Sequence, residues 1–453
     1  MEVTKAIFDH ALKKIRPDTD EVVSNQIMFD DIRKFIKEKF KIEARLMGSV
    51  AKNTFIAGDK DLDIFIFFPP TTKKEVLETK GLLIGKSVFK KFGGNYQVSY
   101  AEHPYTKGKI GIFDVEIVPA YKITSTKKLM SAVDRTPFHT KYVLDNLKNP
   151  DEVRLLKKFM KAIGVYGSDL KTNGFSGYLC ELLILRCKTF NNLLKHAQKW
   201  NYQEIMDLEN GYKKSEYKAA RTKFNDQPLI FIDPTDKNRN VAAVLSIDRL
   251  ARFIYFAGKF IDSPSIDYFF RIEQPKDKRQ ILRSAKERGT FHIAITFKRP
   301  DLIEDILYPQ LRRFRRRISD SLEHDGFVMM SSWEFGNDEC GIAFELLNQT
   351  VPRFRTMTGP RIFDPKKNRD NFEDKYEDIW FEGDRMVAEV RRKHFDIMSM
   401  LGSFFDEDAK ALADKGVPKN LAQEIAKNYS LVEGKDILKI KSEEFWNGLS
   451  KRM

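Results

Sequence analysis

The sequence predicts a multidomain α/β (α+β) protein. Its expected parts are an N-terminal sheet with flanking helices, a helical central domain and mixed α/β C-terminal domains. Three observations carry this expectation. At ~150 residues per domain, 453 residues make about three domains. Strand-like runs alternate with helical periodicity over the first 120 or so residues. From about 138 to 265 the pattern becomes mostly helical, and beyond that it mixes short strands with long polar helices.

Taken in order, residues 3–15 and 20–39 read as amphipathic helices, with Ile27, Phe29, Ile32, Phe35 and Ile36 approximating one apolar stripe. A short strand over 42–47 leads into a small turn at Gly48-Ser49. Residues 61–68 form an apolar strand stopped by Pro69-Pro70, residues 72–91 a helix, and 96–102 and 109–118 two further strands. Helices follow over 153–163, 178–200 and 244–261, then short strands over 291–297, 340–347 and 386–390. Asp262-Ser263-Pro264 and Val351-Pro352 are the best linkers. The domain boundaries expected are 1–137, 138–265 and 266–453. No internal repeat or low-complexity tract interrupts them.

Seventy-nine Lys and Arg against 65 Asp and Glu leave a net charge of +14, which points to a polyanionic partner or an acidic surface. Thirty-six phenylalanines argue against disorder. Three cysteines (Cys180, Cys187, Cys340), none in a C-x-x-C pair, build neither a disulfide framework nor a zinc site and favour a reducing, cytoplasmic setting. The N-terminus lacks the cationic and apolar regions of a signal peptide, and no run approaches the ~18 apolar residues of a membrane span, so no membrane partner is expected.

Gly81-Leu-Leu-Ile-Gly85-Lys86-Ser87 imitates a phosphate-binding P-loop, but it has three residues between its glycines where four are required, inside a helical pattern. A helix with two tolerated glycines is the expectation there. The sharper signal is Gly48-Ser-Val-Ala-Lys-Asn-Thr54 followed by Asp61-Leu-Asp63. A Gly-Ser turn lets backbone amides and a hydroxyl approach a phosphate. Asp61 and Asp63, two apart on a strand, project from one face, and a hard divalent cation relieves their repulsion. A third carboxylate comes from the strand Phe113-Asp-Val-Glu-Ile-Val-Pro119, where periodicity does not choose between Asp114 and Glu116.

G-S, D-x-D and an acid on a later strand resemble the polymerase-beta-like nucleotidyltransferase superfamily. Further blocks resemble its archaeal (class I) CCA-adding tRNA nucleotidyltransferase family: Ala101-Glu-His-Pro-Tyr105, Ala132-Val-Asp-Arg-Thr-Pro-Phe-His139, Glu152-Val-Arg-Leu-Leu-Lys157, Gly174-Phe-Ser-Gly-Tyr-Leu-Cys-Glu-Leu-Leu183 and Tyr308-Pro-Gln-Leu311. They run in family order over residues 1 to about 320.

The resemblance implies a polymerase-beta-like head, a nucleotide- and RNA-binding helical neck and a tRNA-binding body and tail. It implies Mg²⁺ on Asp61, Asp63 and the acid two before Val118-Pro119, hence Glu116, where the family usually has Asp. Gly48, Ser49 and Lys52 would hold the triphosphate, with Lys52 where the family often has Arg. His139, Lys157 and Tyr166 match positions contacting the nucleotide's sugar and phosphates, and Arg239 the arginine that reads the base. Taken singly, His139, Lys157 and Tyr166 have ordinary structural readings; the ordered motif set raises them. The activity implied is template-independent addition of C, C and A from CTP and ATP to the 3′ end of tRNA, and a homodimer is left open. A poly(A) polymerase is the nearest alternative, and a non-catalytic RNA-binding protein the alternative of another kind. Arg312, Arg313, Arg315, Arg316 and Arg317, on one helical stretch after Tyr308, are expected to track RNA phosphates.

Overall fold

The computed structural model describes residues 2–100, 102–270 and 277–450; Ala101, which opens the Ala101–Tyr105 block, lies outside the described residues. Two compact units divide the chain, Met1–Ile272 and Glu273–Met453.

The first unit begins with helices α1 (Glu2–Ile15) and α2 (Thr19–Phe40), the latter capped by the Asp18 carboxylate on the Glu21 amide. Next come β1 (Glu43–Leu46), a one-turn helix α3 (Gly48–Ala51), β2 (Asp61–Phe68), α4 (Lys74–Lys91), β3 (Asn95–Tyr100), β4 (Pro104–Ile110) and β5 (Phe113–Tyr121). The five strands form one sheet in the order β1-β2-β5-β4-β3. Only β2 and β5 pair parallel. Leu62, Ile64, Ile66 and Phe68 pack under Phe29, Ile32 and Ile36 of α2 and Leu77, Ile84 and Val88 of α4. The period of two then puts Asp61 and Asp63 on the opposite face. Ile27 falls off the expected stripe and is exposed.

The expected single strand over 109–118 is instead a hairpin. Gly111 adopts φ +58°, so the chain reverses between Ile110 and Phe113 and adds β4 to the sheet. The glycines of the P-loop imitation lie inside α4, as expected. A Cβ on Gly85 would stand 2.0 Å from Thr106 Oγ1, and one on Gly81 2.8 Å from Pro119 Cβ. They let the helix approach the sheet and have nothing to do with phosphate.

Helices α5 (Thr136–Asn146), α6 (Pro150–Ala162), α7 (Gly177–Cys187) and α8 (Phe190–Ala197) follow. The expected single helix over 178–200 breaks at Lys188, which takes φ +70°, and restarts on the Thr189 cap. Strands β6 (Glu204–Met206), β7 (Leu229–Asp233) and β8 (Asp236–Asn240) form a small sheet that helical periodicity did not anticipate. Every residue of β7 is buried, and so short an apolar run shows no period that sets strand apart from helix. Helix α9 (Tyr217–Lys223) precedes β7, and α10 (Ile247–Asp262) and α11 (Asp267–Phe270) complete the unit. Val153, Leu156, Phe159 and Met160 of α6 anchor its core against Leu179, Leu182 and Leu183 of α7. Each such side chain contributes about 1.5–3 kcal/mol on burial.

The second unit contains α12 (Lys278–Arg288), β9 (Phe291–Lys298), α13 (Glu304–His324), β10 (Met329–Gly336), β11 (Glu339–Leu346) and β12 (Phe354–Arg361). After these come α14 (Lys366–Glu373), β13 (Ile379–Glu382), β14 (Arg385–Arg391), α15 (Ile397–Phe405), α16 (Ala409–Asp414), α17 (Lys419–Lys427), β15 (Tyr429–Glu433) and α18 (Glu443–Ser450). Four strands order as β10-β11-β9-β15 and three as β12-β14-β13. Leu307, Leu311, Phe314, Ile318 and Leu322 seat α13 on the core. Among the described residues no helix is long and apolar enough to cross a membrane.

Candidate active site

The expected turn at Gly48-Ser49 is the start of α3. Gly48 takes φ +67°, and a Cβ there would lie 1.8 Å from Asp63 Oδ2. Glycine is therefore what lets this turn close onto the carboxylate. The Met47 amide donates to the Asp63 carbonyl at 2.8 Å and the Thr54 amide to the Ser49 carbonyl at 2.9 Å, fixing both ends of the segment.

The parallel register of β2 and β5 sets Asp114 beside Asp61 and Glu116 beside Asp63. All four carboxylates line one cavity of about 430 Å³, together with Gly48, Ser49 and Lys52. Burial, then the charges of Glu116 and Asp61, push the Asp63 carboxyl up to about 7. Burial, then Asp59 and Asp114, raises Asp61. Lys107 of β4, opposite Glu116 in the register, pairs with it at 2.7 Å. Burial opposes the Lys107 charge most, but the hydrogen bond to Glu116 together with the charges of Glu116, Tyr105 and Asp61 holds the ammonium above its usual range. Asp114 is half exposed and 3.9 Å from Lys109.

An oxygen-only set of crowded acids, in which burial and neighbouring charge disfavour the ionised form of Asp63, suits a hard divalent cation. Among the described residues no three acidic, histidine or cysteine side chains already close around a common point; Glu116 leans on Lys107 instead.

The far wall of the cavity comes from the helices. Tyr166, Gly177, Tyr178 and Glu181 line it with Lys157. Ser176 caps α7 on the Leu179 amide and so aims its first turn at the acids. Lys157 is buried, its Nζ 3.0 Å from the Thr54 carbonyl, and desolvation lowers its pKa against the opposing charge of Glu181. Arg154 donates to the carbonyls of Phe55 and Asn53, clamping the segment after α3 from behind.

His139 and Arg239 do not line the cavity; they stand behind Tyr178. The His139 ring stacks on Tyr178 at 4.0 Å between centroids. Its Nε2 is 2.8 Å from Asp233 Oδ2, which also accepts from Arg239 Nη1 at 2.9 Å. Burial keeps His139 below its usual pKa despite that carboxylate, while its hydrogen bond and charge hold Asp233 low against burial.

The five arginines of α13 divide. Arg312 and Arg315 donate to Glu334, and Arg317 donates to the Lys415 carbonyl. Arg313 and Arg316, three apart, are exposed.

Residue reading assigned no role to Lys107, Arg154, Tyr178, Glu181 or Asp233. Glu181 left a signal, being the one acid in the apolar helix GYLCELLILRC. A lone ionisable group in such a helix needs a partner.

The sheet and its acidic cleft define a nucleotidyltransferase, and residues 30–139 match the model of the nucleotidyltransferase domain. Residues 151–270 match the second domain of tRNA nucleotidyltransferase and 288–434 the C-terminal domain of the CCA-adding enzyme. The chain belongs to the CCA-adding enzyme family. It is 39% identical to the CCA-adding enzyme of Methanoregula boonei over 408 residues, 87% of this chain and 84% of that protein. To that of Methanocaldococcus jannaschii it is 36% identical, covering 87% and 89%. To that of Methanothermobacter thermautotrophicus it is 35% identical over 448 residues, covering 97% and 96%.

Proposed function

We infer that this protein is a template-independent tRNA nucleotidyltransferase that adds C, C and A, from CTP and ATP, to the 3′ end of tRNA and releases pyrophosphate. The observation that carries this is the match to CCA-adding enzymes along most of both chains. The test supplies tRNA lacking its CCA end, Mg²⁺ and each nucleoside triphosphate in turn. The expected product is C, C, A and then a stop; long homopolymers would favour a poly(A) polymerase.

In the reading we favour, Asp61, Asp63 and Glu116 hold two Mg²⁺ ions, which when bound activate the terminal ribose hydroxyl and neutralise the triphosphate and leaving pyrophosphate. Gly48 and Ser49 present the turn to the triphosphate, and Lys52 meets its charge from the end of α3. Lys157 and Tyr166 support sugar and phosphates from the helical side. Asp233 orients Arg239 and His139 together, which supports their work on one nucleotide. Arginine is donor-only, so it meets the ring nitrogen that C and A share and faces a donor in U and G. Arg239→Ala is expected to depress CTP and ATP use together and to narrow the gap to UTP and GTP, read as kcat/KM for each. Loss of ATP use alone would overturn that role. The catalytic head spans 1–137, the neck 138–265, and the tRNA-binding body and tail 266–453. The cytoplasm is the setting we propose, supported by three buried, unbridged cysteines.

The third ligand is separable by mutation. Glu116 neighbours Asp63 in register, whereas Asp114 is half exposed and sits beside Asp61 at the start of the strand. Glu116→Gln is expected to cost at least ~10²-fold in the rate of addition, and Asp114→Asn far less. An inactive Asp114→Asn beside an active Glu116→Gln exchanges their roles.

For the arginine helix, Arg313→Ser with Arg316→Ser is expected to weaken tRNA binding. Each lost phosphate contact also lowers the slope of log affinity against log salt by about 0.9. Arg312→Ser, which loses the Glu334 pair, should chiefly lower the melting temperature. A double variant with an unchanged salt slope would leave Arg313 and Arg316 as solvated charges.

A further inference from the structure

We infer that Glu181 is a positioning residue that competes with phosphate for the Lys52 ammonium and thereby keeps pyrophosphate from being held in the cleft. This rests on the reading that Lys52 binds the triphosphate.

Glu181 lies in the middle of α7 with its side chain fully buried. Its Oε2 accepts from Lys52 Nζ at 2.5 Å and its Oε1 from Thr54 Oγ1 at 2.6 Å. Lys157 Nζ is 3.0 Å from the Thr54 carbonyl and 3.3 Å from its Oγ1, so a second ammonium stands behind the same threonine. The carboxylate therefore pairs directly with Lys52 and meets the buried Lys157 only through Thr54, and Lys52, Lys157 and Glu181 all line the cavity.

The carboxylate is the fixed partner, held by Thr54 and by its place in a packed helix. Lys52 is the movable one, a compact charge on a four-carbon stem at the end of α3. A phosphate entering the cavity has to draw that ammonium from a buried carboxylate, and the exchange weakens substrate and product alike. Without Glu181 the Lys52 ammonium would lose its buried partner, while Lys157 would keep its contacts with Thr54. Polyphosphate would then bind more tightly and leave more slowly, a poor property for an enzyme that releases pyrophosphate three times per RNA end.

Titration calorimetry with pyrophosphate, in the presence of Mg²⁺ and without RNA, tests this on the full chain. Glu181→Gln keeps the shape and can still accept from Thr54. It is expected to tighten pyrophosphate binding roughly tenfold, the scale of one hydrogen bond to a charged group. Steady-state kcat should fall while the single-turnover rate holds. Lys52→Gln should weaken pyrophosphate binding, and adding Glu181→Gln to it should restore none of the tightening. A folded Glu181→Gln that binds pyrophosphate equally or more weakly makes the residue purely structural and overturns the inference. Wild-type binding by Lys52→Gln instead overturns the triphosphate reading of Lys52. If Glu181→Gln does not fold, Glu181→Asp, which withdraws the charge by about a bond length, should give a smaller tightening; no tightening there overturns the inference as well.

Discussion

Asp63→Asn is expected to reduce nucleotide addition by at least ~10²-fold, leave tRNA affinity nearly intact, and make the metal-free protein more stable at pH 8. The first effect follows from its place between Asp61, Glu116 and the α3 turn. The third follows from electrostatics. Burial, Glu116 and Asp61 raise the folded-state carboxyl to about 7 from an ordinary 3.8. The folded state then binds a proton more tightly than the unfolded chain, so stability is lost as pH rises between those values, and the whole penalty is present above pH 7. Asparagine carries no such penalty. Melting curves of wild type and variant in chelator should therefore diverge as pH rises from 4 to 8 and converge at the acid end. Added Mg²⁺ should close the gap at pH 8 by stabilising the wild type selectively. A variant less stable than wild type at pH 8 in chelator would show that Asp63 is not the strained group described here.

Gly48→Ala is expected to inactivate the enzyme and to lower its melting temperature, more severely than its single added methyl suggests. The new Cβ would sit 1.8 Å from Asp63 Oδ2 and 2.8 Å from its Cγ. Either the carboxylate or the α3 turn must move. The φ of +67° adds about 1–2 kcal/mol for any residue with a Cβ. Ser49→Ala is the comparison for stability: it alters the same turn without a new close contact, so its melting temperature should stay near wild type. If Gly48→Ala retains half of wild-type addition, the close approach of turn and carboxylate has no bearing on catalysis.

The contrast between Gly48 and Gly85 shows what kind of information the sequence holds. Both are glycines near a lysine in segments that suggest phosphate binding. Spacing alone was enough to set Gly85 aside, because a P-loop needs a fixed number of amides around the phosphate. What Gly85 does was not legible, since its reason is Thr106, twenty-one residues away on β4. Gly48 was legible as a turn residue, and its partner Asp63 was legible as an acid. Their contact was not.

Local chemistry decided much of this protein. The strand Asp61–Phe68, with its alternating faces, required two acids on one side and a core on the other, and β2 has those bounds and those faces. The P-loop imitation was settled as helix by the same means. Element boundaries failed where one backbone angle governs: at Gly111, which turns a strand into a hairpin, and at Lys188, which breaks a helix. The neck sheet failed because β7 is buried throughout and carries no period. Only the tertiary structure could decide how the carboxylates pair, because the parallel register of β2 on β5 sets Glu116 beside Asp63 across a gap of more than fifty residues. The same holds for Lys107 on Glu116, Asp233 between His139 and Arg239, and Glu181 on Lys52. For His139 with Asp233 and Lys52 with Glu181 the partner lies 94 and 129 residues along the chain, and sequence spacing contains no measure of that approach. Lys107 meets Glu116, nearer in sequence, only because the hairpin sets their two strands in register.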